Sequence, residues 1–210
     1  ESTAGSSQEA DEPQTIAGCD RIPGFKDSLT STTQLNINVL IDISYRIAPN
    51  TPHGKRALQN DLAILEQLAR IWKKHLCRKP VRAYHDAFHI RVNEPIPKGL
   101  EDYFTRLSFK AGTLYRERSE GAFKRLLSHF EDTLRQRARR IYQTVYDQGY
   151  QTEQNWIGSN IYGFFSNPNQ IRKCIKPNAD NILVVLTDGY LSYTSNNRSF
   201  GQGTSFNNLV

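Results

Sequence analysis

The stretch LNINVLIDI, residues 35–43, decides how this chain is read. Asn36 and Asn38 alternate with Leu35, Ile37 and Val39, and the segment then runs apolar through Leu40 and Ile41 to the carboxylate of Asp42. Alternation that becomes a continuous apolar run predicts a central strand, covered on both faces, ending at Asp42. NILVVLT, residues 181–187, repeats the pattern as a buried strand and is followed at once by Asp188 and Gly189. Two strong strands that both end in an aspartate are the chemically loaded feature of the sequence.

Working outward from these strands, Pro49, Asn50, Pro52 and Gly54 predict a loop. Leu58, Leu62, Leu65, Ala69, Trp72 and Leu76 then recur every three or four residues, one apolar face of a helix that ends at Lys79-Pro80. YHDAFHIRV, residues 84–92, alternates as a second strand, closed by Pro95 and Pro97. Residues 100–118 fit two templates: Leu100, Phe104, Leu107, Ala111 and Leu114 suit a helix, whereas residues 105–109 suit a short edge strand. Phe123, Leu127, Phe130, Leu134, Ala138, Ile141 and Val145 predict one long helix over 121–150 with its arginines outward. A polar turn at 158–160 leads into a short helix over 161–173, and Pro177-Asn178 break it. The stretch 190–210, rich in Ser, Asn and Gly, reads as a hairpin or an extended excursion. Strands alternating with helices predict an α/β fold, a doubly wound, mostly parallel central sheet flanked by helices. Such sheets bind ligands at the carboxyl ends of their strands, where Asp42 and Asp188 fall.

Composition bounds the function classes. The 210 residues are 38% hydrophobic and carry a formal charge of +6, enough chain for one domain with a sizeable core. The longest apolar run, Ile182 to Leu186, is five residues, against the roughly 20 a membrane-spanning helix needs. Cys19, Cys77 and Cys174 allow at most one disulfide, and no pair has CxxC spacing. There is no GxGxxG, Walker A or GxSxG motif, so the sequence offers neither a common nucleotide fingerprint nor a nucleophile elbow.

Charge is unevenly spread. Residues 1–33 hold six acids against Arg21 and Lys26, a net of −4, which leaves +10 on residues 34–210. The first part is small, polar and acidic and reads as a flexible leader. The basic residues gather at Arg70 to Arg82 and Arg116 to Arg140. These read as solvated helix faces, with nucleic-acid binding as the lesser alternative. The leader and the absence of methionine, even at position 1, suggest a processed or truncated chain, exported and tethered at a bacterial cell envelope; the cytoplasm is the alternative.

Asp42 and Ser44 in DISYR (42–46) and Asp188 in VLTDG (185–189) present hard oxygen donors from two strand ends. Donors of that kind suit Mg²⁺ or Mn²⁺. Here the sequence resembles the von Willebrand factor A-like (integrin I-like) family, a Rossmann-type fold. VLIDISYR is similar to that family's first strand with its DxSxS motif, ILVVLTDGY to its fourth strand with the TDG signature, and IGSNI (157–161) to its intervening loop, with Ser159 at the place of a metal-site threonine. The resemblance covers about residues 34–191. It implies a metal ion-dependent adhesion site built from Asp42, Ser44, Ser159 and Asp188, at which a carboxylate from a protein or other acidic ligand completes the coordination of Mg²⁺ or Mn²⁺. It implies a binding module, with no catalytic residues.

Two departures matter. Arg46 replaces the motif's last serine, and a guanidinium there either points away or opposes the cation. The chain also ends 22 residues after Asp188, where the family adds two more strands and a helix, so the resemblance implies a C-terminally truncated domain. Two other readings remain open: a metal-dependent phosphodiesterase or nuclease using Asp42 and Asp188, and a scaffold whose metal site is dead. His85 and His89 fall four apart in a strand, too far to chelate one ion easily, and read as structural.

Overall fold

The computed structural model describes residues 33–79, 85–92, 107–113, 120–147, 161–187, 194–195 and 198–199 of the chain. The leader expected over 1–33 lies almost wholly outside them. The first strand, β1 (Gln34–Ile41), is the spine. It pairs in parallel with β2 (Ala87–Arg91) on one side and with β4 (Ala179–Leu186) on the other. Beyond β2 runs the short antiparallel β3 (Ser108–Lys110), so the sheet order is β3-β2-β1-β4. The chain is therefore of the α/β class, with a mixed and mostly parallel sheet.

Helix α1 (Pro52–Leu76) starts earlier than the apolar spacing alone predicts. Thr51 is the reason: its hydroxyl accepts the Gly54 N–H at 2.9 Å, and Pro52 takes the first helical position, where a missing N–H costs nothing. Gly54 is required there, since a Cβ would lie 2.0 Å from the Ala48 carbonyl oxygen. The predicted helix over 121–150 is two segments, α2 (Glu120–Ser128) and α3 (Phe130–Asp147). They meet at His129, across which backbone bonds to Arg125 and from Thr133 persist. The predicted helix over 161–173 likewise divides into α4 (Ile161–Ser166) and α5 (Pro168–Arg172). Pro168 forces the break, because the residue before a proline is disfavoured from helical geometry. Asn167 is extended and accepts the Asn169 N–H at 3.0 Å as the new cap. The choice between helix and strand near 105–109 resolves as an edge strand, with Phe109 buried between exposed Ser108 and Lys110. Thr194–Ser195 pairs antiparallel with Arg198–Ser199, a hairpin within the polar last stretch.

The sheet has two unlike faces. On the first, Leu35, Ile37, Val39 and Ile41 of β1 join Phe88, Ile90 and Phe109 under α1 and α3, with Leu65, Ala69, Trp72, Leu134 and Ile141 completing the core. Trp72 lies 4.8 Å from Phe130 and 6.2 Å from Phe88, centroid to centroid, spacings at which aromatic pairs add stabilisation beyond area burial. On the second face Leu40, Leu183 and Val185 pack with Ile161, Phe164, Ile171 and Cys174 of α4, α5 and the turn after them. Its remaining β1 positions are the buried Asn36 and Asn38 and the half-buried Gln34.

One expectation about burial is corrected. β4 is not a fully buried strand: among the described residues it borders the sheet, with Asp180, Asn181 and Ile182 exposed and only Leu186 buried. The run NILVVLT is apolar because Ile182 and Val184 face one side and Leu183 and Val185 the other, with the cover on each side only partial.

Candidate functional site

Asp42 follows the last residue of β1 and is fully buried. Its backbone N–H continues the ladder to β4 by donating to the Leu186 carbonyl at 3.0 Å. Its carboxylate is held from two directions: Oδ1 accepts the Ser44 N–H at 2.8 Å, and Oδ2 accepts the Thr187 hydroxyl at 2.9 Å. The ends of β1 and β4 are thus joined through one carboxylate. Burial pushes the Asp42 carboxyl above its usual range, and the bonds from Ser44 and Thr187 and the charge of Arg46 only partly offset this.

Arg46 sits in a 3₁₀ turn (Tyr45–Ile47) and does not point away. Its side chain turns inward, with Nε 3.6 Å from Asp42 Oδ2. One terminal nitrogen donates to Asp61 Oδ2 at 2.6 Å and to the Leu186 carbonyl at 2.9 Å. Asp61, on the core-facing side of α1, also accepts the Tyr142 hydroxyl of α3 at 3.0 Å. Burial and the Asp61 charge hold that phenol protonated well above its usual range. The result is a buried chain of charge, Asp42–Arg46–Asp61, closed by Tyr142. Burial alone would disfavour the guanidinium's charge, but its bonds and pairing with Asp61 and Asp42 more than compensate.

Of the four residues with predicted metal roles, the structure therefore places Asp42 and Ser44 at one strand end beside Thr187. Ser159 and Asp188 lie outside the described residues. Among the described residues no group of three or more His, Cys, Asp or Glu is arranged to hold a metal ion. The oxygens of Asp42 and Ser44 fit Mg²⁺ or Mn²⁺ in kind. The Arg46 charge beside them lowers the affinity they can offer.

Sequence reading missed Asp61 and Tyr142. Asp61 carried a signal: in α1 it falls three residues after Leu58 and one before Leu62, inside the apolar stripe, where an unpaired carboxylate is not tolerated. Tyr142 occupies the same kind of position beside Ile141. Between α1 and the end of β4 opens a cleft of about 310 Å³ whose lining includes Arg46, His53, Arg56, Asn60, Asp61 and Thr187. The two predicted structural histidines separate: His85 is exposed ahead of β2, whereas His89 is buried with Nδ1 2.6 Å from the Ser108 hydroxyl.

Cys77 is disulfide-bonded, and Cys174 is a free, buried thiol. No described helix is long and apolar enough to cross a membrane. Comparison with protein-family models, with curated proteins and with solved structures finds no match to this chain.

Proposed function

We propose that this chain is a non-enzymatic recognition module of the von Willebrand A-like, Rossmann-type kind. It takes a protein or other acidic ligand at the C-terminal edge of its sheet. The observation that carries the reading is the cleft between α1 and β4 beside the Asp42 strand end, whose lining sets Arg56, His53 and the Arg46 guanidinium against one carboxylate, Asp61. A carboxylate entering it meets the Arg56 guanidinium on a preformed frame, with Arg46 already paired to Asp61 and Asp42. The sheet order β3-β2-β1-β4 with one antiparallel edge, and the position of Asp42 and Ser44 directly after β1, support the family reading. In that reading Asp42 and Ser44, with Ser159 and Asp188, hold Mg²⁺ or Mn²⁺, and the ion supplies an open position for the ligand's carboxylate. The disulfide at Cys77 supports an exported protein, since disulfides persist in oxidising compartments.

A second reading has its own observation. Arg46, 3.6 Å from Asp42 and 2.6 Å from Asp61, supplies as a side chain the positive charge an ion would bring, and the module then binds acidic ligands without metal. Calorimetry with Mn²⁺ separates the two. The metal-dependent reading expects one ion bound by the wild type, binding lost in Asp42→Ala and tightened in Arg46→Ser. Wild-type protein that ignores Mn²⁺ at millimolar concentration leaves the metal-free reading. Metal-stimulated cleavage of nucleic acid by the wild type, abolished in Asp42→Ala, would overturn both in favour of a hydrolase.

A further inference from the structure

A second cleft lies at the opposite edge of the sheet, on the face that carries Asn36 and Asn38. It has a volume of about 320 Å³, and its lining includes Asn36, His89, Lys110, Lys173 and Lys176. That volume is at the lower end of the range for small-molecule sites.

Its charge is unbalanced. The one acid in the lining, Asp86, is already matched: its carboxylate accepts Lys79 at 2.9 Å, the His75 ring at 3.0 Å and the Leu35 N–H at 2.7 Å. Burial raises the Asp86 pKa, but those bonds and the Lys79 charge prevail, so it stays ionised and spoken for. Among the described residues no carboxylate pairs with Lys110, Lys173 or Lys176. Arg91, on the same face, donates to Asn38 Oδ1 at 2.7 Å and to the Lys173 carbonyl at 2.7 Å, both uncharged partners. Lys176 donates to the His85 carbonyl, also uncharged. The excess is felt by His89, whose pKa is lowered to about 4, first by burial and then by Arg91, Lys110 and Lys176.

The lining also contains an unsatisfied acceptor. Asn36 is buried, and its amide nitrogen donates to the Cys174 carbonyl at 2.8 Å and to Asn181 Oδ1 at 2.7 Å. Two acceptors on the nitrogen side fix the orientation of the amide. Its Oδ1 then has no hydrogen-bond partner and essentially no accessible surface, so the amide is a fixed, closed part of the wall. Cations without a matching carboxylate call for an anion.

We propose that this cleft binds a small organic phosphate, its phosphoryl oxygens held by Lys110, Lys173 and Lys176. A phosphomonoester brings up to two negative charges and three strong acceptor oxygens, which suits three ammonium groups better than a single carboxylate does. The site is independent of the one at Asp42: it uses other residues at the other end of β1.

The test titrates the full chain at low ionic strength with α-glycerophosphate, n-propyl phosphate and glycerol, by calorimetry and by NMR of the histidine rings. Expected are saturable binding of α-glycerophosphate and of the propyl ester, which share the phosphoryl group, and none of glycerol. Lys110→Gln and Lys176→Gln, both at positions outside the core, should each weaken α-glycerophosphate several-fold while leaving the fold intact. Bound phosphate should raise the His89 pKa above its value near 4, a readout that a general salt effect on affinity does not produce. No binding of either ester, or equal binding by both lysine variants and the wild type, overturns the site.

Discussion

The two faces of one sheet behave as different materials. Along β1 the odd positions Leu35, Ile37, Val39 and Ile41 enter a dry core under α1 and α3, whereas Asn36 and Asn38 face the other side and are held by named hydrogen bonds. The first face is stabilised by area, which is non-directional and tolerant of detail. The second is stabilised by geometry, since each buried amide must find its partner. The residues able to bind something polar are accordingly on the second face or at the strand ends, and the first face supplies the rigidity on which they stand.

That contrast can be broken experimentally, and the largest effect belongs to the dry face. Trp72→Ala removes the ring that meets Phe88 and Phe130 and should cost about 3–5 kcal/mol in denaturant unfolding. Trp72→Phe should cost much less, because the indole N–H makes no hydrogen bond there. If the two variants are equally destabilised, shape at this position matters more than area.

The second face should show itself through pH. His89 is neutral when folded, with a pKa near 4, but titrates near 6.5 when unfolded. Between those values only the unfolded chain takes up the proton, so stability falls as pH drops from about 6.5 towards 4. The loss is on the order of 3 kcal/mol at most. His89→Gln should flatten that part of the stability profile, and an unchanged slope assigns the acid sensitivity elsewhere.

The smallest effect is Asn38→Ala. It strips one partner from the Cys174 carbonyl and from Arg91 Nε, at 3.0 and 2.7 Å, for a cost of about 2 kcal/mol. A variant as stable as the wild type would mean that water replaces the amide and that this face is wetter than its burial suggests.

Much of the fold was legible because it is local. The alternation in LNINVLIDI located β1 and sorted its side chains between the faces, and the three-and-four spacing from Leu58 to Leu76 located α1 and its buried stripe. The break at Pro168 is also written in the sequence, as an Asn-Pro step, although 161–173 reads there as one helix. The burial of β4 was overread because an apolar run does not say how much covers it. The sites were only half legible. Asp42 and Ser44 announce themselves as a motif at a strand end, but the inward turn of Arg46 is set by Asp61, fifteen residues away, and by the Leu186 carbonyl, 140 away. The basic cleft is assembled from residues near 36, 89, 110 and 176, and no local pattern joins those positions.

The contact between Gly54 and the Ala48 backbone, too close for any side chain, has a mechanical meaning. It seats the first turn of α1 directly on the loop that carries Arg46, with no compressible atom between them. α1 is 25 residues long, roughly 37 Å at 1.5 Å per residue. Just past its far end Lys79 grips Asp86 at the rim of the basic cleft. The two clefts therefore lie near opposite ends of one helix, whose length sets the distance between them.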